Sequence, residues 1–295
     1  MMKSNGDSNT LSDLAALTAG AGLRPSPRLP VLFLGHGSPM NAIEDNRWQR
    51  GWRALGAAFG AGGDYPLPQL IVCISAHWLT RGWWLTAMAS PRTLHDFGGF
   101  PPELFAVQYP APGAPSAAAA IAQGIRAPGG VAIGLDHDAW GLDHGAWSVL
   151  RPMFPDARVP VIQLSLDYAR PPAEHFALGR ALAPLRDFGV LIVGSGNEVH
   201  NLRAMRWQAG DDEAFDWARA FDQRVARHIE AGELAALADF ASWGPMATQA
   251  HPTHEHLLPL LHAAGAASAD ANARAECFNV GFQGATIGMR SVVWR

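Results

Sequence analysis

Histidines carry most of the candidate chemistry in this chain. His36 sits in the turn Gly35-His36-Gly37-Ser38-Pro39, directly after the apolar run Leu32-Phe33-Leu34. The pattern recurs twice: Ile71 to Ala76 (IVCISA) leads into His77, and Val190 to Val193 (VLIV) leads through Gly194-Ser195-Gly196-Asn197 to His200. Neutral imidazoles held on rigid strand ends suit a mononuclear metal that keeps positions open for substrate. One histidine after a strand is more often a hydrogen-bonded cap than a ligand. Three of them on small-residue turns point to one site at a shared sheet edge. A further cluster, His251-Pro252-Thr253-His254-Glu255-His256, lacks the HExxH spacing that sets two imidazoles on one helical face. It still offers one more imidazole, or the Glu255 carboxylate, to complete the site.

Other motifs carry less. Gly194-Ser195-Gly196 has neither a phosphate-loop lysine nor the dinucleotide fingerprint, and Gly35-His36-Gly37-Ser38 lacks GxSxG spacing. Asp143-His144 and His95-Asp96 resemble imidazoles oriented by a neighbouring acid. His175, His228 and His262 fall on predicted helices without companions and receive no role. The glycines flanking His36 are expected to leave room beside a metal for a planar ring.

The elements that must position these residues follow from hydrophobic periodicity. Apolar runs at 30–34, 69–76, 159–166 and 190–194 predict strands, and their continuous character suits a parallel sheet buried on both faces. A further strand is expected over 83–88, a short one over 130–133, and a closing one over 285–294. Helical spacing appears over 46–60 (Trp48, Trp52, Leu55, Phe59), 117–125, 175–185, 211–229 and 234–240, and from Glu255 through Leu261. Strand–helix alternation predicts one α/β domain with a mostly parallel or mixed central sheet and helices on both faces. Residues 1–28 read as a flexible or loosely docked tail, and 29–295 as the single catalytic domain. Two long connections stand out. Ser90 to Ser116 is rich in Pro and Gly, and Leu135 to Trp147 holds two histidines, three aspartates and two tryptophans; loops this long are usually functional.

Composition bounds the rest. The chain has 295 residues, 48% hydrophobic and 16% charged, which is the profile of a folded globular protein. A formal charge of −4 without a basic run gives no footprint for nucleic acid. No apolar stretch nears the roughly 20 residues that span a bilayer. Two cysteines, Cys73 and Cys277, make neither a disulfide framework nor a CxxC metal site, so a cytoplasmic location is expected. Eleven tryptophans are expected to fill the core.

Taken in order, GHGSPM, SAHW, HDFGGFP, YPAPG, DHGAW, SGNEVHN and THEHLLPLL resemble the class III extradiol ring-cleaving dioxygenases, in the 4,5-DOPA dioxygenase branch. The resemblance runs from about Leu29 to the C-terminus. It implies a single α/β domain with one non-haem metal, Fe(II) for ring cleavage or Zn(II) as bound in relatives. It implies His36, His77 and His256 as metal ligands, and His200 as a fourth ligand or an acid/base group. His144 becomes a catalytic, substrate-facing imidazole. His254 and Glu255 stay as alternatives to His256, since relatives often carry proline at the first position and the broader class uses a glutamate ligand. His95, Phe97 and Tyr109 on the long loop are candidates to cover an aromatic ring. The implied reaction uses O2 to open a small catechol such as L-DOPA to a muconic-semialdehyde-type product. Two rivals share the residues: a zinc-dependent hydrolase, and a non-enzymatic binding relative whose signature would be lost ligands.

Overall fold

The computed structural model describes residues 14–295. Its strands are β1 (Val31–Gly35), β2 (Leu70–Thr80), β3 (Trp84–Thr86), β4 (Gly134–Asp136), β5 (Val161–Asp167), β6 (Val190–Gly196), β7 (Ala275–Phe278), β8 (Phe282–Gln283), β9 (Ile287–Gly288) and β10 (Ser291–Trp294). Among the described residues, eight of them form one mixed sheet in the order β4-β3-β5-β2-β6-β1-β10-β7, and β8 and β9 form a separate pair. The central block β5-β2-β6-β1 is parallel throughout, so these four strands deliver their carboxyl ends to one edge. The other pairings, apart from β3 with β4, are antiparallel.

The apolar runs are continuous because both faces of the sheet are covered. Alternate residues of β1, Val31 and Phe33 against Leu32 and Leu34, enter two different cores. The first core is covered by helices Pro172–Leu182 and Leu258–Ser268, and the second by helices Arg47–Gly56 and His144–Met153. Trp48, Trp52, Trp83, Trp147 and Trp294 are fully buried, as core filling requires. No helix among the described residues is long and apolar enough to cross a membrane.

Several elements depart from the sequence expectation. Residues 14–28 are docked: residues 14–20 are helical, and Leu14, Thr18 and Leu23 are buried. Gln69 holds Arg24 through both its backbone N–H and carbonyl, which fastens the segment to the start of β2. The remainder of the expected tail, residues 1–13, lies outside the described residues. The strand expected over 130–133 is instead Gly134–Asp136, after a turn through Gly129 and Gly130 at positive φ. Residues 144–147, read as the end of a loop, instead begin helix His144–Met153, whose N-cap is Asp143.

Below the sheet, in the first core, His175 and His262 form an isolated buried pair, Nδ1 to Nε2 at 3.1 Å, with Trp83 packed edge-on. Burial lowers His175 to about 4 and pushes His262 well down. The unfolded chain takes up these protons below about pH 6.5, whereas folded His175 does so only near pH 4 and His262 resists protonation as well. Stability is therefore full above pH 6.5 and falls as the pH drops towards 4. His175 alone should cost about 2 kcal/mol at pH 5. Urea unfolding at pH 7 and pH 5 checks this, with a His175→Asn variant expected to shrink the difference by about that amount, the other buried histidines supplying the rest.

Candidate metal centre and active site

At the carboxyl edge of the parallel block, four imidazoles converge. His36 follows β1 directly. His77 lies inside β2, at an irregularity where the register against β5 shifts between Ile74 and Leu79. His200 follows β6, and its N–H donates to the Ala250 carbonyl at 2.9 Å. His256 sits just before helix Leu258–Ser268, and its carbonyl accepts from Asn197 N–H, tying that segment to the end of β6.

One ring nitrogen from each of His36, His77 and His256 lies within 4.8 Å of the other two. The Nε2 atoms of His36 and His77 are 3.2 Å apart. Two nitrogens each about 2.0–2.1 Å from a common ion, at tetrahedral or octahedral angles, stand about 2.9–3.4 Å apart. The donor set therefore fits a single divalent ion.

The other ring nitrogens explain why. Ser195 Oγ donates to the Gly145 carbonyl, so its lone pair is what faces His36 Nδ1 at 3.0 Å. His36 must then carry its proton on Nδ1, which leaves Nε2 bare. Glu255 Oε1 lies 3.0 Å from His256 Nδ1, and Asp96 Oδ2 lies 3.5 Å from His77 Nδ1. Each of the three imidazoles thus has an acceptor behind it and a bare nitrogen forward. Burial first, and neighbouring histidines second, push His36, His77 and His256 well below the ordinary histidine value. At neutral pH these imidazoles are neutral, and protons do not compete with a metal. Replacing Ser195 by Ala removes the acceptor that fixes the His36 tautomer. Metal affinity should fall roughly 10–100-fold, read by competition with a chromophoric chelator.

His200 is not one of that trio, but one of its ring nitrogens groups with donor atoms of Glu255 and His256, all within 4.8 Å of one another. The His200 ring stacks on His256 with centroids 3.4 Å apart and planes 5° from parallel. Burial, then His144, lowers it to about 4. His144 packs beside His77, centroids 3.8 Å apart, with Nδ1 3.0 Å from Asp96 Oδ2. Asp96 also accepts from the His144 backbone N–H at 2.9 Å. Burial would raise the Asp96 carboxyl, but His144 and His77 hold it down at about 2.

A cavity of about 280 Å³ opens over this cluster. Its floor is His36, His77, His144, His200 and His256 with Asp96, and its walls include Phe97, Phe100, Leu202, Met205, Trp207 and Ile287.

Three expectations need correction. Tyr109 does not face the cavity: it is buried in the second core, with its hydroxyl donating to the Phe154 carbonyl. His95 also lies behind the wall, its Nε2 2.9 Å from the Val107 carbonyl and its ring against Phe97 and Trp147. The long loop folds its aromatic residues inward, and only Phe97 of the three candidates reaches the cavity. The glycines flanking His36 serve packing. A Cβ on Gly35 would run into the Met289 backbone, and one on Gly37, at φ +57°, into Gln283 and Met289.

Between neighbouring alternatives, the structure brings His256 to the cluster and not His254, which stacks on Tyr168. Glu255 backs His256 and also accepts from Thr253 Oγ1, so it orients an imidazole. Asp143 does not face the His144 ring. Its carboxylate is sealed among Ser75, Gln163, Trp140 and the Ala146 N–H, and it caps the helix that carries His144. The residues missed by sequence reasoning are Asp96 as the partner of His144 and Ser195 as the partner of His36. Ser195, next to last in β6, stands in register with Leu34 of β1, two residues before His36, which is how the sheet brings the pair together.

Residues 30–293 match the family described as the catalytic LigB subunit of aromatic ring-opening dioxygenase. A 4,5-DOPA dioxygenase extradiol of Escherichia coli K12 is 47% identical over 247 residues, covering 82% of this chain and 86% of the relative. The 4,5-DOPA dioxygenase extradiol of Beta vulgaris is 35% identical, covering 86% and 92%. The crystal structure of an uncharacterized E. coli K12 protein superposes with a TM-score of 0.75 at 40% identity, covering 90% of this chain and 99% of that one. With a family match that spans the domain from β1 to β10, this chain belongs to the LigB family of aromatic ring-opening dioxygenases and groups with its extradiol enzymes.

Proposed function

We propose that residues 29–295 form one catalytic domain that binds a divalent metal through His36, His77 and His256. There it opens a catechol such as L-DOPA by extradiol cleavage, consuming O2 and giving a muconic-semialdehyde-type product. The carrying observation is the set of three imidazoles with acceptors behind and bare nitrogens forward, beneath a cavity walled by aromatic residues. Bound there, Fe(II) supplies the Lewis acidity and the O2 chemistry that ring opening needs.

The chain's own residues handle protons and position. His200 is neutral at pH 7 and lines the cavity, so it is available to accept a phenolic proton. His144 also lines the cavity, with its Nδ1 3.0 Å from Asp96 Oδ2. Phe97 packs edge-on against His144, centroids 5.4 Å apart, and shields that side from water. The free cysteines Cys73 and Cys277 suit a reducing, cytoplasmic setting.

The same donor set suits zinc and hydrolytic chemistry, so metal exchange separates the two readings. After anaerobic reconstitution, iron-loaded protein should take up O2 on addition of a catechol, and zinc-loaded protein should not. Hydrolysis of esters by the zinc form, without O2 uptake by the iron form, would favour the hydrolase. A non-enzymatic role predicts missing ligand histidines, and all three are in place.

A further inference from the structure

The stacked imidazoles of His200 and His256 arrive on two chain segments that are laced together. The first is the turn after β6, from Asn197 to Asn201, which carries His200. The second runs from Gln249, near the end of helix Pro245–Ala250, to His256. Asn197 N–H donates to the His256 carbonyl and His200 N–H to the Ala250 carbonyl, both at 2.9 Å. Asn201 Nδ2 donates to the Gln249 carbonyl at 2.7 Å. The remaining link is a buried side chain in the middle of this lacing. His251 Nε2 stands 2.7 Å from the Glu198 carbonyl oxygen.

A carbonyl oxygen only accepts, so His251 carries its proton on Nε2 and donates. Burial lowers the imidazole to about 3, which keeps it neutral at pH 7. Its ring is wedged between Phe221 of helix Asp216–Glu230 and Phe240, with centroids 5.2 Å and 6.0 Å away. One side of the ring is thus fixed on the core, and the other grips the chain two residues before His200. His251 itself is not among the described residues that line the cavity. The His200 and His256 rings, 3.4 Å between centroids, are already in van der Waals contact. A shift of either segment therefore moves its imidazole against the other. Glu198 is fully buried, so removing the His251 N–H leaves a carbonyl unpaired in the interior and favours a displaced turn.

We infer that His251 is a positioning residue for the reaction. Through the Glu198 carbonyl it fixes the turn carrying His200 against the segment carrying His256, and so sets both imidazoles over the cavity. This rests on the metal-dependent ring-cleavage reading and deepens it by a residue behind the site.

Three substitutions test it, with thermal unfolding as a control. His251→Phe keeps a ring in the aromatic slot and removes the N–H. His251→Met also removes it, with a flexible side chain for the case in which phenylalanine does not fit. His251→Gln keeps an N–H donor at nearly the reach of Nε2. Zinc affinity, read by chelator competition, should fall roughly 10–100-fold in the Phe and Met variants. In iron-loaded protein, kcat for catechol should fall by a similar factor with KM within about threefold of wild type. His251→Gln should recover most of both losses. A purely structural role instead lowers the melting temperature and leaves affinity and kcat unchanged in the folded variants. Zinc affinity within about threefold of wild type in a folded variant lacking the N–H overturns the inference. A His251→Gln protein as weak as His251→Phe overturns it too. If wild-type iron-loaded protein turns over no catechol, the ring-cleavage reading fails instead, and the zinc comparison still judges His251.

Discussion

His36→Ala, His77→Ala and His256→Ala variants should each purify folded yet hold well under one metal per chain. With iron resupplied, their turnover should fall by roughly 10³-fold or more, since the ion accounts for several kcal/mol of transition-state stabilisation. The fold survives because these imidazoles line a cavity, while the cores on either face of the sheet are built from other residues. Plasma emission on the purified variants, with thermal unfolding as a control, reads both parts. Stoichiometric metal in all three would place the site elsewhere. His200→Gln separates the two roles open to His200: retained metal with lost turnover marks an acid/base group, and lost metal marks the further ligand that its grouping with Glu255 and His256 allows.

The second large effect concerns stability. Asp143→Ala should lower the unfolding free energy by about 3–5 kcal/mol, although Asp143 touches neither the metal trio nor the cavity. The side chain is fully buried and accepts from Ser75 Oγ at 2.6 Å, Gln163 Nε2 at 2.7 Å, Ala146 N–H at 3.1 Å and Trp140 Nε1 at 3.2 Å. Removing it strands these donors in the interior and uncaps helix His144–Met153. A chain of this length loses roughly 2 °C of Tm per kcal/mol, so calorimetry should show a fall of about 6–10 °C. A change under about 2 °C would show that the donors find other partners. Activity should drop further than stability alone explains, since the capped helix begins with His144.

Much of this site was legible in the chain itself, for a physical reason. The strands β1, β2 and β6 are buried on both faces, so they appear as unbroken apolar runs, and parallel pairing obliges their following residues to share one edge. That brings His36 and the segment carrying His200 to one edge, whereas His77 lies inside β2, at a register irregularity the sequence does not show. What could not be read was set by contacts distant in sequence. Asp96 reaches the His144 N–H across 48 residues, and only the folded path of the long loop brings it there. Tyr109 and His95 share that loop and its composition, and the fold turned them inward. Helix His144–Met153 was hidden by Gly145 and by Pro152 inside it. Gly145 is required because a Cβ there would press on Ser75 Oγ and the His77 ring. The segment 14–28 read as a tail because it is short and polar in part, yet Leu14 and Leu23 contribute enough apolar surface to dock it.

The central claim is that a catechol is opened by O2 at the ion held by His36, His77 and His256. The measurement closest to it is an anaerobic mixture of iron-loaded protein and catechol given a pulse of O2, with uptake followed at an electrode and the product weighed by mass spectrometry. The account predicts one O2 consumed for each catechol and a product heavier than the catechol by two oxygen atoms, formed by the wild type and not by His77→Ala. Metal bound at full occupancy with no O2 uptake, or a product lacking the two oxygens, would contradict it.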